Sequence, residues 1–277
     1  MSIKIFSNLY QSILPRGLQE KIQVFILNNS SAKPIIAKLE KQVSQLENQV
    51  NKVLDQRQNR LHAFVREALS IAATNLTPVA PYIHEEPDSE LGRSFDKFGS
   101  DKNKRHSYPR FYEELLSGIA SPRILEVGLG SLGKFPYAGL KPGGSLQAWR
   151  ERYPNSIIVG GDIDPNAVES VSEVAFVVDQ TDSNSLDNFA SQISSYGLFD
   201  LIVDDGFHDP HANLLTAIKL LPLLAPDGSY VIEDVHSSLI DFWRVVLASV
   251  DMNGTIIDMS VLRPKTADNV LVLIKRS

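Results

Sequence analysis

Two short stretches concentrate the residues able to do chemistry, Asp204-Asp205-Gly206-Phe207-His208 and Glu233-Asp234-Val235-His236, and each follows an apolar, β-branched run. Carboxylates brought together from neighbouring strand ends repel one another at neutral pH, so such a group calls for a cation. Oxygen donors with open positions suit magnesium, manganese or calcium better than zinc. Adjacent strand residues point to opposite faces, so only one of Asp204 and Asp205 need face the site. His208 could stand beside the metal as a general base, because imidazole titrates near neutrality. The plainer alternative makes Asp204 a helix cap and His208 a solvated turn residue, like His211 nearby.

Other strand-like runs end in glycine or acid as well: Gly128-Leu129-Gly130-Ser131, Asp162, and Asp179-Gln180. Open α/β sheets bind ligands in the crevice at the carboxyl ends of their strands, so this sorting marks one rim as a site. Glu126-Val127-Gly128-Leu129-Gly130 forms a tight turn that a ligand can approach closely. With Gly133 the spacing is formally G-x-G-x-x-G, but Pro136 and Pro142-Gly143-Gly144-Ser145 put a loop where a dinucleotide-binding helix should open, so a plain glycine loop stays open as a reading. Asp162 could accept from both hydroxyls of a ribose, or serve as a turn residue before Pro165. An acidic rim without a P-loop lysine disfavours phosphate. S-adenosylmethionine, with a sulfonium and an ammonium but no phosphate, suits it.

The elements that must position these residues read as α/β. Strand-like runs at Ile124 to Val127, Ile157 to Gly161, Ala175 to Val178, Phe199 to Val203 and Ser229 to Ile232 alternate with helical patterns, the signature of a parallel sheet with crossover helices. Two further runs, near Thr255 to Val261 and Asn269 to Ile274, are separated by Pro264-Lys265-Thr266-Ala267 and suggest a closing hairpin. The expectation is a Rossmann-like, doubly wound sheet of seven strands occupying residues 95–277, preceded by a linker at 79–94 and an N-terminal helical arm at 1–78.

Within the arm, Phe6 to Phe25 spaces apolar residues helically around a Pro15-Arg16-Gly17 break. Packing on the main domain is the favoured reading over lying in a lipid interface. Ile36, Leu39, Val43, Leu46, Val50 and Val53 make a short heptad seam, which leans to homo-oligomerisation. The chain of 277 residues carries a net charge of −6, but residues 1–66 hold ten Lys or Arg against four Asp or Glu, leaving the remainder strongly acidic. That body lacks the basic stripe nucleic acid requires. No cysteine is present, which excludes disulfides, thiolate metal sites and cysteine nucleophiles. No apolar run approaches the roughly 18 residues that cross a bilayer. Met1 to Leu27 shows no cleavable signal pattern, which favours the cytoplasm, with membrane contact reduced to a peripheral role for the arm.

From Phe95 to Ile274 the chain resembles class I S-adenosylmethionine-dependent methyltransferases, and more narrowly the metal-dependent sugar O-methyltransferases of natural-product pathways. The stretches that carry the likeness are Phe98-Gly99-Ser100-Asp101-Lys102 with His106-Ser107-Tyr108 and Tyr112, Ile124 to Gly128, Gly143 to Leu146, Asp162-Ile163-Asp164-Pro165, Asp179 to Asp182, Val203 to His208 and Val231 to His236. The resemblance implies a methyl transfer to a sugar or glycoside hydroxyl. Asp205, Glu233 and Asp234 would ligate magnesium or manganese, and His208 would be the base. Lys102, Tyr108, Glu126, Gly128, Gly130, Asp162, Asp179, Gln180 and Asp204 would hold S-adenosylmethionine. Phe207 departs from the small polar residue common at that place in the motif, and the departure bears on the acceptor pocket. Cephalosporin hydroxylase-like proteins share these features under a different reaction. A non-catalytic scaffold of a polysaccharide-assembly complex, oligomerised by the seam, is the alternative from another class. An NAD oxidoreductase ranks last.

Overall fold

The computed structural model describes residues 77–83, 89–130, 141–249 and 253–276. Apart from Thr77 and Pro78, the expected helical arm and its heptad seam lie outside the described residues, as does the loop 131–140 with Gly133 and Pro136.

Eight strands form one sheet: β1 (Val79–Pro81), β2 (Arg123–Val127), β3 (Ile157–Asp162), β4 (Val174–Val177), β5 (Phe199–Asp204), β6 (Leu224–Val235), β7 (Gly254–Asp258) and β8 (Val270–Lys275). Their spatial order is β1-β7-β8-β6-β5-β2-β3-β4. All neighbours run parallel except β8, which is antiparallel to β6 and β7. The seven expected strands and their closing hairpin are present in a Rossmann-like plan. The eighth, β1, falls within the stretch expected as a linker at 79–94, where Val79 to Pro81 pairs with Ile256 to Asp258. A proline is tolerated there because β1 lies at the sheet edge. The same stretch also opens the first helix among the described residues, α1 (Glu90–Phe98), whose N-cap Ser89 accepts from the Gly92 amide.

The remaining α-helices among the described residues are α2 (Pro109–Leu115), α3 (Gly144–Arg152), α4 (Pro165–Ser170), α5 (Ser183–Ile193), α6 (Pro210–Leu220) and α7 (Ile240–Ser249). Strand alternation sorts the sheet's side chains into two cores. Leu125, Ile202, Ile232 and Val272 pack under α5, α6 and α7, with Phe189, Leu220 and Trp243. Ile124, Leu201, Val203, Val231 and Leu271 pack under α1 to α4, with Phe95, Tyr112 and Trp149. Burial of each such side chain stabilises the fold by roughly 1.5–3 kcal/mol relative to exposure. The two apolar layers hold the strand ends in fixed register, and so place whatever follows each strand.

Among the described residues, no helix is long and apolar enough to cross a membrane.

Candidate functional site

The chain leaves β2 for β3 and β4 on one side and returns to β5 on the other, so β2 and β5 flank the point where strand order reverses. In open sheets the crevice forms at that point. Gly128, with φ 101°, sits just past β2, and a Cβ there would collide with the backbone of Asp205 and Gly206. Glycine is what lets the two loops touch. The register carries on beyond the strands, because the Asp205 amide donates to Val127 O at 2.8 Å and the Gly128 amide to Gly161 O at 2.8 Å. Gly130, with φ 81°, has open space where its Cβ would stand. Asp162 clamps the turn, one oxygen accepting from the Leu129 amide at 2.7 Å and the other from the Asp164 amide at 2.8 Å. Asp179 accepts from the amide and hydroxyl of Thr181.

At the end of β5 the alternation rule separates two neighbouring acids. Asp204 turns inward, fully buried, and accepts from Gln180 Nε2 at 2.6 Å, Asn213 Nδ2 at 3.1 Å and Tyr230 OH at 3.2 Å. Gln180 is likewise internal, its Oε1 accepting from the Phe207 amide at 2.8 Å. Burial pushes the Asp204 carboxyl above its usual range, against the opposing pull of Asn213 and Gln180. Asp205 turns to the other side of the sheet and meets Lys102, whose ammonium donates to Asp205 Oδ2 at 2.6 Å and to Glu233 Oε2 at 2.5 Å and lies 3.3 Å from Glu126 Oε1. Burial alone would lower the pKa of Lys102, but Asp205, Glu126 and Glu233 raise it well above the ordinary lysine value. The ammonium stays charged.

Glu233 and Asp234 break the alternation. The β6–β8 register shifts between Ile232 and Val235, and Asp234 takes the left-handed conformation at φ 54°. A bulge of this kind re-aims a side chain, and both acids consequently face the segment 102–112. Glu233 accepts from Lys102 and from Tyr112 OH, and Asp234 accepts from Tyr108 OH at 2.9 Å. Burial raises the pKa of Glu233 and of Asp234 well above the carboxylate range, and Asp205 adds to both shifts. His208, also left-handed at φ 55°, brings Nε2 to 3.9 Å from Asp205 Oδ1 and 4.0 Å from Asp234 Oδ2. Asp205, His208 and Asp234 thus offer ligand atoms within 4.8 Å of one another. Glu233, expected in the same set, lies one residue away with its oxygens on Lys102 and Tyr112.

Several expected contacts of a bound molecule are therefore occupied by the protein itself. Glu126 is buried, accepts from Trp149 Nε1 at 2.7 Å, and is pushed up by burial. Lys102, Gln180 and Asp204 are similarly engaged, while Gly130 and Asp179 stand at the open rim.

Sequence reasoning assigns no role to His106. Its ring is 1% exposed and stacks on Tyr108 at 5.0 Å, and Nδ1 lies 3.3 Å from Asp234 Oδ1. Neither nitrogen has a hydrogen-bond partner among the described residues. Burial lowers its pKa, with Asp101 and Asp205 pulling the other way. The stretch His106-Ser107-Tyr108 is the available signal in the sequence. Asn213, Thr216 and Tyr230, which complete the inner network, carry none.

No family model matches the chain. Among curated proteins it is similar to 8-demethyl-8-alpha-L-rhamnosyl tetracenomycin-C 2'-O-methyltransferase of Streptomyces olivaceus, 33% identical over 159 residues, 56% of this chain and 39% of that protein. It is 39% identical over 118 residues to mycinamicin VI 2''-O-methyltransferase of Micromonospora griseorubida, 42% of this chain and 28% of that one. L-olivosyl-oleandolide 3-O-methyltransferase of Streptomyces antibioticus is 31% identical over 178 residues, 62% of this chain and 43% of its own. The relatives are sugar O-methyltransferases of natural-product pathways, and this chain spans less than half the length of each. A solved mycinamycin-pathway methyltransferase, in complex with Mg, SAH and mycinamycin VI, is 31% identical with a TM-score of 0.45, covering 53% of this chain and 39% of that one.

Proposed function

We propose that the chain is an S-adenosylmethionine-dependent, metal-assisted O-methyltransferase whose acceptor is a hydroxyl of a sugar or glycoside. The observation that carries the reading is the gathering of Asp205, His208 and Asp234 on the rim that also bears the Gly128–Gly130 turn. Similarity to sugar O-methyltransferases supports it, and so does the fit of the residues to both groups the reaction needs.

Around the cluster, Glu126, Asp205 and Glu233 share one ammonium, that of Lys102, while Asp234 accepts from the neutral Tyr108 hydroxyl, so a further cation has carboxylates left to balance. The carboxylates of Asp205 and Asp234 suit magnesium or manganese, which prefer oxygen donors, and leave the His208 imidazole beside them for proton transfer. Asp205 and Asp234 would hold that ion, and Glu233 would complete the acid set only by exchanging Lys102 or Tyr112 for it. The open space at Gly130 and the acid at the end of β3 suit an uncharged nucleoside.

When bound, the cofactor supplies an electrophilic methyl and the metal a Lewis acid that eases ionisation of a hydroxyl. The protein's part is positional and protolytic. His208 takes the hydroxyl proton on Nε2, the atom that faces Asp205 and Asp234. Lys102 and Tyr108 hold those two carboxylates by donating to them. The Gly128–Gly130 turn and Asp179 border the cofactor. Residues 95–277 are the catalytic body, while the 1–78 arm assembles copies of the chain or localises it near its acceptor, a natural product or a surface polysaccharide.

The test incubates the protein with S-adenosylmethionine, magnesium and a panel of glycosides and follows mass. Gain of one methyl group on a glycoside, stimulated by magnesium, is expected. Failure of calorimetry to detect S-adenosylmethionine binding, together with no methylated product, overturns the reading.

A further inference from the structure

Phe207 is the only Phe, Tyr or Trp among the described residues that lies exposed, at 63%. Its ring enters none of the aromatic pairs found elsewhere in the described structure. Single exposed apolar residues are common and mean little by themselves. What singles this one out is its anchorage and its neighbours.

The backbone that carries the ring is fastened at each step. The Asp205 amide is bonded to Val127 O, and Gly206 packs so closely on Gln180 that a Cβ there would collide with the amide oxygen. Phe207 itself donates its amide to Gln180 Oε1 at 2.8 Å. His208 follows in the left-handed conformation, and Asp209 caps α6 by accepting from the His211 and Ala212 amides. A mobile surface loop would not need these ties. The structure therefore presents most of a hydrophobic ring to solvent on a rigid base, at a cost in apolar hydration that no aromatic pairing among the described residues offsets.

The flanking residues say what would cover it. Asp205 and His208 belong to the cluster where an acceptor hydroxyl must arrive, and Cα atoms one residue apart are about 3.8 Å from each other. Phe207 is thus the immediate chain neighbour of the residue that an acceptor hydroxyl must reach. A pyranose has hydroxyls around its edge and an apolar C–H face, and a 6-deoxyhexose adds a methyl group to the apolar part. An aromatic ring makes dispersion contact with such a face without demanding a hydrogen bond, so it orients the sugar while leaving the hydroxyls free for the cluster.

We propose that Phe207 is the platform on which the acceptor's sugar ring stacks. The proposal rests on the O-methyltransferase reading and adds to it the subsite that selects a glycoside with an exposed apolar face. The contact is made in the bound complex as in the transition state, so its loss weakens acceptor binding and spares the chemical step.

The experiment titrates SAH, and then a panel of methyl glycosides including methyl α-L-rhamnopyranoside, into magnesium-loaded wild-type, Phe207→Ala and Phe207→Tyr proteins. Expected are unchanged SAH affinity in all three, acceptor affinity weakened at least about tenfold in Phe207→Ala, and near-wild-type acceptor affinity in Phe207→Tyr. Equal glycoside affinity in wild type and Phe207→Ala overturns the platform and leaves the methyltransferase reading standing. Loss of SAH affinity in Phe207→Ala assigns the ring to the cofactor and equally overturns it. Binding of SAH but of no glycoside by the wild type removes both the platform and the sugar acceptor.

Discussion

Two acid clusters flank the end of β5, one residue apart in sequence, and they are built on opposite principles. Around Asp204 every partner is a neutral donor supplied by the protein: Gln180, Asn213 and Tyr230. Around Asp205 and Asp234 the partners are charged or incomplete: Lys102 on Asp205, the Tyr108 hydroxyl on Asp234, a His106 nitrogen 3.3 Å from Asp234 that makes no hydrogen bond, and a His208 nitrogen 3.9–4.0 Å from both acids. Buried polar groups in a finished interior are satisfied, and those left short are where a ligand or reaction is to be sought. The hydrogen-bond inventory thus separates a structural acid from a functional one even when residue type and position nearly coincide.

The contrast is most severely exposed at Asp205. Asp205→Ala should abolish the magnesium stimulation of methyl transfer and the manganese-induced rise in melting temperature that are expected of the wild type, because it removes a donor of the cluster and a partner of Lys102. A thermal-shift series with and without manganese checks this. A full manganese response in the variant would show that the open cluster is not a metal site. The next effect in size belongs to His208. His208→Ala should cut turnover by at least about a hundredfold, the usual contribution of a general base, with S-adenosylmethionine affinity kept. Single-turnover kinetics decides, and unchanged turnover would demote His208 to a turn residue.

The contrast is partly legible in the amino-acid sequence. Strand alternation requires Asp204 and Asp205 to part company, and apolar runs each ending in acid or glycine identify the rim. Which acid goes inward is not legible, because that depends on Gln180, Asn213 and Tyr230 arriving from three other elements. Nor is the shared orientation of Glu233 and Asp234, since a bulge is a property of the β6–β8 pairing and leaves no mark in β6 alone. The Lys102 cage joins positions 103 and 131 residues apart, a relation that no local pattern encodes. Strand β1 reads as linker because three residues containing a proline carry too little periodicity. It exists through pairing with β7.

The smallest predicted effect tests the closed cluster by its pH dependence. Tyr230 is buried, donates to Asp204 Oδ2, and is among the groups that pull the Asp204 pKa down against the larger, opposing effect of burial. Tyr230→Phe removes that donor without changing the shape of the core, at a cost of about 1 kcal/mol. The folded-state pKa of Asp204, already raised, then rises further. A carboxyl with a raised folded-state pKa contributes stability that is fully present at low pH, below its unfolded value, and lost as pH climbs through the folded value. The variant's deficit should therefore be larger at pH 8, where the hydroxyl would have served an ionised carboxylate, than at pH 5. Urea unfolding of wild type and Tyr230→Phe at both values measures it. An equal deficit at the two pH values would mean that Tyr230 stabilises through packing alone, and the inner cluster would lose its claim to be an electrostatically completed counterpart of the open one.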